Sequence, residues 1–292
     1  MNNMSNFWQR ILTAAVAVPI LYAIFRIGGI IYLLFIMALI LFGQIEFQKL
    51  LRSRNFPDEK ISGIAFSLLL ALSAYLGYLY FMMTFTGAVV LILVFELWKL
   101  REGGTVLRAG VTLFGVIYIG WLLSHAILLR DIGRMGAIRE FASSVQGLND
   151  PGFFYIFFTV ACTFLNDTGA YFTGLRLGRR KLAPAISPGK TVEGTIGGIV
   201  ACILTGLIVN YGFGSPLNSD WAIFFSLLIA VTAVFGDLVE SAIKRGAGIK
   251  DTGDIVPGHG GVLDRFDSLM FVFPVSYYFV LVYYISAGAL HG

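Results

Sequence analysis

The sequence predicts an all-α polytopic membrane protein of about nine transmembrane helices. Three observations carry that prediction. Of 292 residues, 57% are hydrophobic and only 13% charged, where a soluble domain carries about 25% charged residues. Apolar stretches near the roughly 20 residues that span a bilayer recur along the whole chain. The cations gather in the short segments between these stretches, mostly in alternate loops.

Nine candidate spans follow in order: Ile11–Ile27, Ile30–Leu50, Ile61–Met83, Thr86–Leu97, Val106–Leu129, Gly152–Leu175, Val192–Tyr211, Trp221–Ile243 and Phe266–Ala287. The first follows Arg10 as a signal peptide would, but no small-residue cleavage site closes it and another span begins at once. The fourth is short. Taken separately, the third and fourth make a testable statement about charge. With nine spans, the N-terminus and the loops after helices two, four, six and eight hold 17 of the 21 Lys and Arg residues, leaving Arg26, Arg130, Arg134 and Arg139 on the other side. Cytoplasmic loops carry such an excess, which places the N-terminus in the cytoplasm. Merging spans three and four destroys the bias.

The chain then divides into N-terminal helices over 1–104 as scaffold and lipid entrance, a middle helix and external loop over 105–150, and a catalytic region over 151–292. Cys162 and Cys202 lie inside apolar runs without metal-ligand spacing and read as packing residues. His125, alone in the fifth span, reads the same way. Glu46 and Glu96, near helix ends, read as interface residues. No soluble basic face tracks a nucleic-acid backbone, which excludes a nucleic-acid partner.

The chemistry concentrates in Ser241–Asp267. Its twenty-seven residues include Lys244, Arg245, Lys250, Asp251, Asp254, His259, Asp264, Arg265 and Asp267, with six glycines interleaved. Cations hold phosphate oxygens, carboxylates hold a divalent metal, and glycines let backbone approach a ligand. Just upstream, Asp237, Ser241 and Lys244 share one helical face at i, i+4, i+7. An ionisable group inside a span is a functional hypothesis by default. Asp237, Asp264 and Asp267 are expected to hold metal, the last two arriving on a return loop; clustered carboxylates repel unless a cation lies between them. Mg²⁺ suits such oxygen ligands shared with substrate phosphates. His259 is left open as metal ligand, phosphate donor or structural hydrogen-bonder.

A second cluster follows the sixth span. Gly189-Lys190-Thr191 invites a P-loop reading, but Pro184 stands where that motif needs glycine, and no strand is expected before it. Lys190 and the Arg179-Arg180-Lys181 run offer countercharge to a triphosphate. Within the sixth span, Asn166-Asp167 opens N-D-T-G-A-Y-F-T-G.

The positions Ser241, Lys244-Arg245, Lys250-Asp251, Pro257, His259-Gly260-Gly261, Asp264-Arg265 and Asp267 resemble the signature of the phosphatidate cytidylyltransferases (CDP-diacylglycerol synthases), without departure. Ser187, Pro188, Lys190, Glu193 and Gly194 resemble that family's Ser-Pro-x-Lys-x-x-Glu-Gly element. Asp167, Ala170, Tyr171, Phe172 and Gly174 resemble its Asp followed by Ala-Tyr-Phe-x-Gly. The resemblance is dense over about Phe164–Asp267; residues 1–150 match only as apolar helices.

The resemblance implies a membrane enzyme making CDP-diacylglycerol and pyrophosphate from CTP and phosphatidate, with Mg²⁺ as cofactor and a second cation left open. It implies catalytic roles for Asp237, Lys244, Arg245, Lys250, Asp251, His259, Asp264 and Arg265. Substrate binding falls to Asp167, Ser187, Lys190, Glu193, Ser241, Gly260 and Gly261, at the cytoplasmic face of a bacterial inner membrane. A homodimer is left open. Two alternatives stand beside it. A CTP-dependent polyprenol or phytol kinase lacks the complete histidine and Asp-Arg-x-Asp signature. A transporter favours paired broken helices at midplane rather than charges gathered at one face.

Overall fold

The computed structural model describes residues 16–52, 56, 60–97, 104–144, 146–249 and 261–289. Helices dominate: α1 Val16–Ile27, α2 Gly29–Arg52, α3 Lys60–Leu76, α4 Tyr78–Leu97, α5 Thr105–Arg130, α6 Gly136–Ser144, α7 Pro151–Leu177, α8 Val192–Gly212, α9 Ser219–Gly246 and α10 Leu263–Ser286. Strands β1 Lys181–Ala183 and β2 Ser187–Thr191 form a two-stranded antiparallel hairpin between α7 and α8. Seven of the helices, α2, α4, α5 and α7–α10, are long and apolar enough to cross a membrane, and α1 and α3 are shorter apolar helices.

The expected boundary between spans three and four is corrected. The chain breaks at Gly77, which takes φ +133°, a conformation that side chains disfavour and glycine tolerates. Helix α4 therefore starts at Tyr78 and is the long one, while α3 ends at Leu76. The stretch 83–86 stays helical; Thr86 bonds back to the Met82 carbonyl at 3.0 Å, as hydroxyls do inside helices. Gly28 and Gly29, both at positive φ, separate α1 from α2 in the same way.

The described chain folds as two compact units. One runs up to Leu128 and includes Lys244–Phe266; the other is Leu129–Ile243 with the residues from Asp267 on. In the first, α2, α3 and α5 pack around Tyr32, Ile36, Ile40, Leu70, Ile119 and Leu123, all essentially inaccessible. Helix α5 widens into a π-helical turn at Val116–Trp121. The Gln44 amide satisfies the carbonyl of Gly115 just before it (2.8 Å) and donates to Ser67 (2.7 Å). Gly120 lets that turn lie against Ser67; a β-carbon there would sit 2.6 Å from its hydroxyl. His125 is fully buried, edge-on to Phe81 and Trp121, with Nδ1 2.8 Å from the Trp121 carbonyl.

In the second unit, a stack of Phe158, Phe225 and Phe279 joins α7, α9 and α10, with centroids 4.9 and 4.2 Å apart. Such pairs each add roughly 0.5–1.5 kcal/mol beyond burial. Helix α7 opens on a well-made N-terminus: Pro151 at its first position, and Asp150 accepting the Phe153 N–H at 2.9 Å. Arg130 grips both oxygens of Asp150 at 3.0 Å. The loop read as external thus contains a 3₁₀ turn at Ile132–Arg134 and a short α-helix, α6, which buries Ile138 and Ala142.

Candidate active site

The α7–α8 hairpin is built on small residues. A β-carbon on Gly169 would meet that of Ala201 at 2.5 Å, one on Gly198 would meet the carbonyl of Asn166 at 2.8 Å, and one on Gly194 would meet that of Ala170 at 2.9 Å. Small residues at such spacing let membrane helices approach closely. The N-D-T-G-A-Y-F-T-G run of α7 thereby packs on the E-G-T-I-G-G run of α8.

The β1–β2 hairpin leads directly into α8, with Lys181 opposite Thr191 and Ala183 opposite Ser187. A strand, β1, therefore does precede Gly189-Lys190-Thr191, contrary to expectation, and β2 carries it. The P-loop reading still fails, because these residues lie in the extended strand itself and not in a phosphate-wrapping loop. Thr191 caps α8 by accepting the Gly194 N–H at 3.1 Å. Glu193, in the first turn of α8, accepts the backbone N–H groups of Arg179 and Arg180 at 2.9 and 3.1 Å. Its carboxylate is thus engaged with the base of the hairpin, whose Arg179, Arg180 and Lys181 side chains are exposed. Ser187 is half-buried in β2.

Lys190 extends from β2 and forms an ion pair with Asp237 of α9. Ser241, one turn on, donates to the other Asp237 oxygen at 3.3 Å. The fields of Asp237 and Lys190 both reach Asp167 on α7 and Asp267 on α10, and that of Asp167 reaches Asp267. Asn166, itself buried, donates to Asp167 at 3.3 Å. Gly236 brings α9 against α10 beside Asp267: a β-carbon would lie 2.9 Å from the Asp267 carbonyl. The structure thus gathers Asp167, Lys190, Asp237, Ser241 and Asp267, three carboxylates against one ammonium.

The other compact unit holds a second group. Lys244 Nζ lies 2.8 Å from Asp264 Oδ1, and the Gly261 N–H donates to Asp264 Oδ2 at 3.0 Å. Both side chains are largely shielded, while Arg245 and Arg265 are exposed. Asp264 and Asp267 lie in the first turns of α10 and not on a return loop as expected. The helix starts at Leu263 because the Val262 and Leu263 N–H groups are capped by the two oxygens of Glu46, each at 2.9 Å. Lys250, Asp251, His259 and Gly260 lie outside the described residues.

Sequence reasoning missed Glu46, reading it as an interface residue. It is fully buried, and Glu96 is nearly so, paired with Arg108 at 3.0 Å. The signal that could have found Glu46 is the general one, an ionisable group inside an apolar helix.

Among the described residues, no three His, Cys, Asp or Glu side chains close around a point as a ready ligand set. The groups gathered around Asp237 nonetheless match Mg²⁺ in kind: three carboxylates and the Ser241 hydroxyl offer oxygen ligands, with Lys190 as a countercharge.

Helices long and apolar enough to cross a membrane, with the carboxylates of Asp167, Asp237 and Asp267 gathered about Lys190 of a basic hairpin, define a membrane protein equipped to handle anionic phosphates. The chain belongs to the cytidylyltransferase family, whose model matches residues 8–283, and it is a nucleotidyltransferase enzyme. It is 32% identical over 293 residues to a phosphatidate cytidylyltransferase of Bacillus subtilis, covering 96% of this chain and 100% of that one. A phosphatidate cytidylyltransferase of Synechocystis is 31% identical over 295 residues, covering 94% and 96%. The uncharacterized protein YnbB of Escherichia coli is 41% identical over 169 residues, 56% of this chain and 52% of that one.

Proposed function

We infer that this protein is a phosphatidate cytidylyltransferase, converting CTP and phosphatidate to CDP-diacylglycerol and pyrophosphate. The observation that carries the reading is full-length similarity to relatives of that name, in a chain that sets Lys190 among Asp167, Asp237 and Asp267. In the reaction a phosphate oxygen of phosphatidate attacks the α-phosphorus of CTP. The new P–O bond forms as the bond to the β-phosphate oxygen breaks, and the pair of electrons leaves with pyrophosphate. The nucleophile is already ionised, so no strong base is required.

The chain's own work is to position two anions and offset their charge. Arg179, Arg180 and Lys181 on the hairpin, with Lys190 at its second strand, suit the triphosphate. Ser187 lies on that strand, and Glu193 acts through the hairpin's backbone. Lys244, Arg245 and Arg265, with Lys250, are assigned to phosphates, and Gly260 and Gly261 to close approach of the chain. Asp237 and Asp267 would hold Mg²⁺, and Asp264 is likewise proposed as a metal ligand. The bound ion would offset charge on the phosphates and help orient them.

The charge distribution supports a cytoplasmic N-terminus and a cytoplasmic site, where CTP arrives from water and lipid from the bilayer. The bacterial relatives support an inner-membrane location. Purified protein given CTP, phosphatidate and Mg²⁺ should release pyrophosphate only with the lipid present, leaving a CDP-lipid. Release of CDP with a lipid phosphate would instead make it a kinase.

A further inference from the structure

Glu46 lies inside the 24-residue apolar helix α2, with none of its surface exposed. A carboxylate buried so completely persists only where hydrogen bonds and charges compensate it. Its two oxygens accept the N–H groups of Val262, just before α10, and of Leu263, its first residue, more than 200 residues along the chain. Helix N-termini present unsatisfied N–H groups and a partial positive charge, and a carboxylate answers both. Most caps come from the residue just before the helix; this one comes from another helix altogether.

One turn earlier on α2, Gly43 leaves the space that the Leu263 side chain fills. A β-carbon at position 43 would stand 3.3 Å from Leu263 and 3.3 Å from Ile119. Gly43 and Glu46 are therefore two halves of one socket: the glycine receives the first apolar side chain of α10, and the glutamate holds its first amides. Asp264 follows Leu263 directly. Its carboxylate takes the Gly261 N–H and the Lys244 ammonium.

We propose that Glu46 is a positioning residue for the reaction. The Gly43–Glu46 socket fixes the point and direction from which α10 starts, and through that start it sets the carboxylate of Asp264 and the ammonium of Lys244. The proposal rests on the function inferred above. Glu46 acts through the start of α10, by the two N–H groups it holds. Replacement by glutamine keeps the shape but turns an amide NH₂ toward one of the two N–H donors, so the cap is half lost and the helix start shifts.

The test uses the full-length protein in detergent. Wild type, Glu46→Gln and Glu46→Asp are compared by thermal melting and by steady-state kinetics of phosphatidate-dependent pyrophosphate release. Glu46→Gln is expected to melt within about 3 °C of wild type yet lose about 30-fold in kcat, with KM for CTP changed less than about threefold. Glu46→Asp, which keeps the charge on a shorter arm, should fall between them in kcat. A folded Glu46→Gln with kcat within about threefold of wild type overturns the proposal. So does a rise in KM for CTP at constant kcat, or the failure of both variants to fold, which would make Glu46 a structural cap alone. Wild type that releases no pyrophosphate contradicts the inferred function instead, so the two failures are distinguishable.

Discussion

Asp237 is the residue on which the larger charge cluster turns. Lys190 pairs with one of its oxygens and Ser241 with the other, and its field reaches Asp167 and Asp267. Asp237→Asn removes the negative charge with little change of volume at a site that is partly open. Turnover is expected to fall at least about 100-fold while melting changes little; near-normal kcat with Mg²⁺ would remove Asp237 from the reaction. Lys190→Ala is expected to raise KM for CTP more than KM for phosphatidate, and steady-state kinetics with each substrate varied in turn checks it. The reverse pattern would assign Lys190 to the lipid. These residues were legible because charge inside or beside an apolar span is costly and so stands out. Glu46 was read as an interface residue, although it is fully buried. Its partners are backbone N–H groups 216 and 217 positions away, and backbone donors leave no mark in a sequence.

At the scale of the element, the β1–β2 hairpin and the α7–α8 pair decide where Lys190 and Asp167 stand. Glu193 ties the hairpin's base through two backbone amides, so Glu193→Gln should raise KM for CTP several-fold, roughly the loss of one charge-assisted bond, with KM for phosphatidate unchanged. A fall in kcat alone would contradict that role. Gly198→Ala drives a methyl to 2.8 Å from the Asn166 carbonyl and 3.1 Å from Ala170. It should destabilise the protein by about 1–3 kcal/mol, measured by unfolding in detergent; an unchanged melting temperature would show that the helices part freely. The sequence displayed the glycines but not their partners, since which helix face meets which is a tertiary choice. The hairpin was hidden because Ser-Pro-Gly-Lys-Thr carries no alternating apolar pattern. The break at Gly77 was hidden because apolar residues continue unbroken on both sides, and only the positive φ marks it.

For the whole molecule, the asymmetry of 17 cations against 4 makes a topological prediction. A single cysteine at Arg139, exposed on α6, should react with a membrane-impermeant maleimide added to intact cells. One at Arg179, exposed before β1, should react only after permeabilisation. Labelling in the opposite sense would invert the protein and place the basic hairpin away from cytoplasmic CTP. Composition alone made the membrane class legible, and the dense motif over Phe164–Asp267 made the chemistry legible. The N-terminal helices were read only as scaffold and lipid entrance, and the buried Glu46 adds a tie from α2 to the start of α10. The most direct measurement remains product analysis with purified protein, labelled CTP, phosphatidate and Mg²⁺. Lipid-dependent pyrophosphate together with a labelled CDP-lipid is the expected result. Label remaining in free CDP, with phosphate transferred to a lipid alcohol, or no nucleotide turnover by well-folded protein, would contradict it.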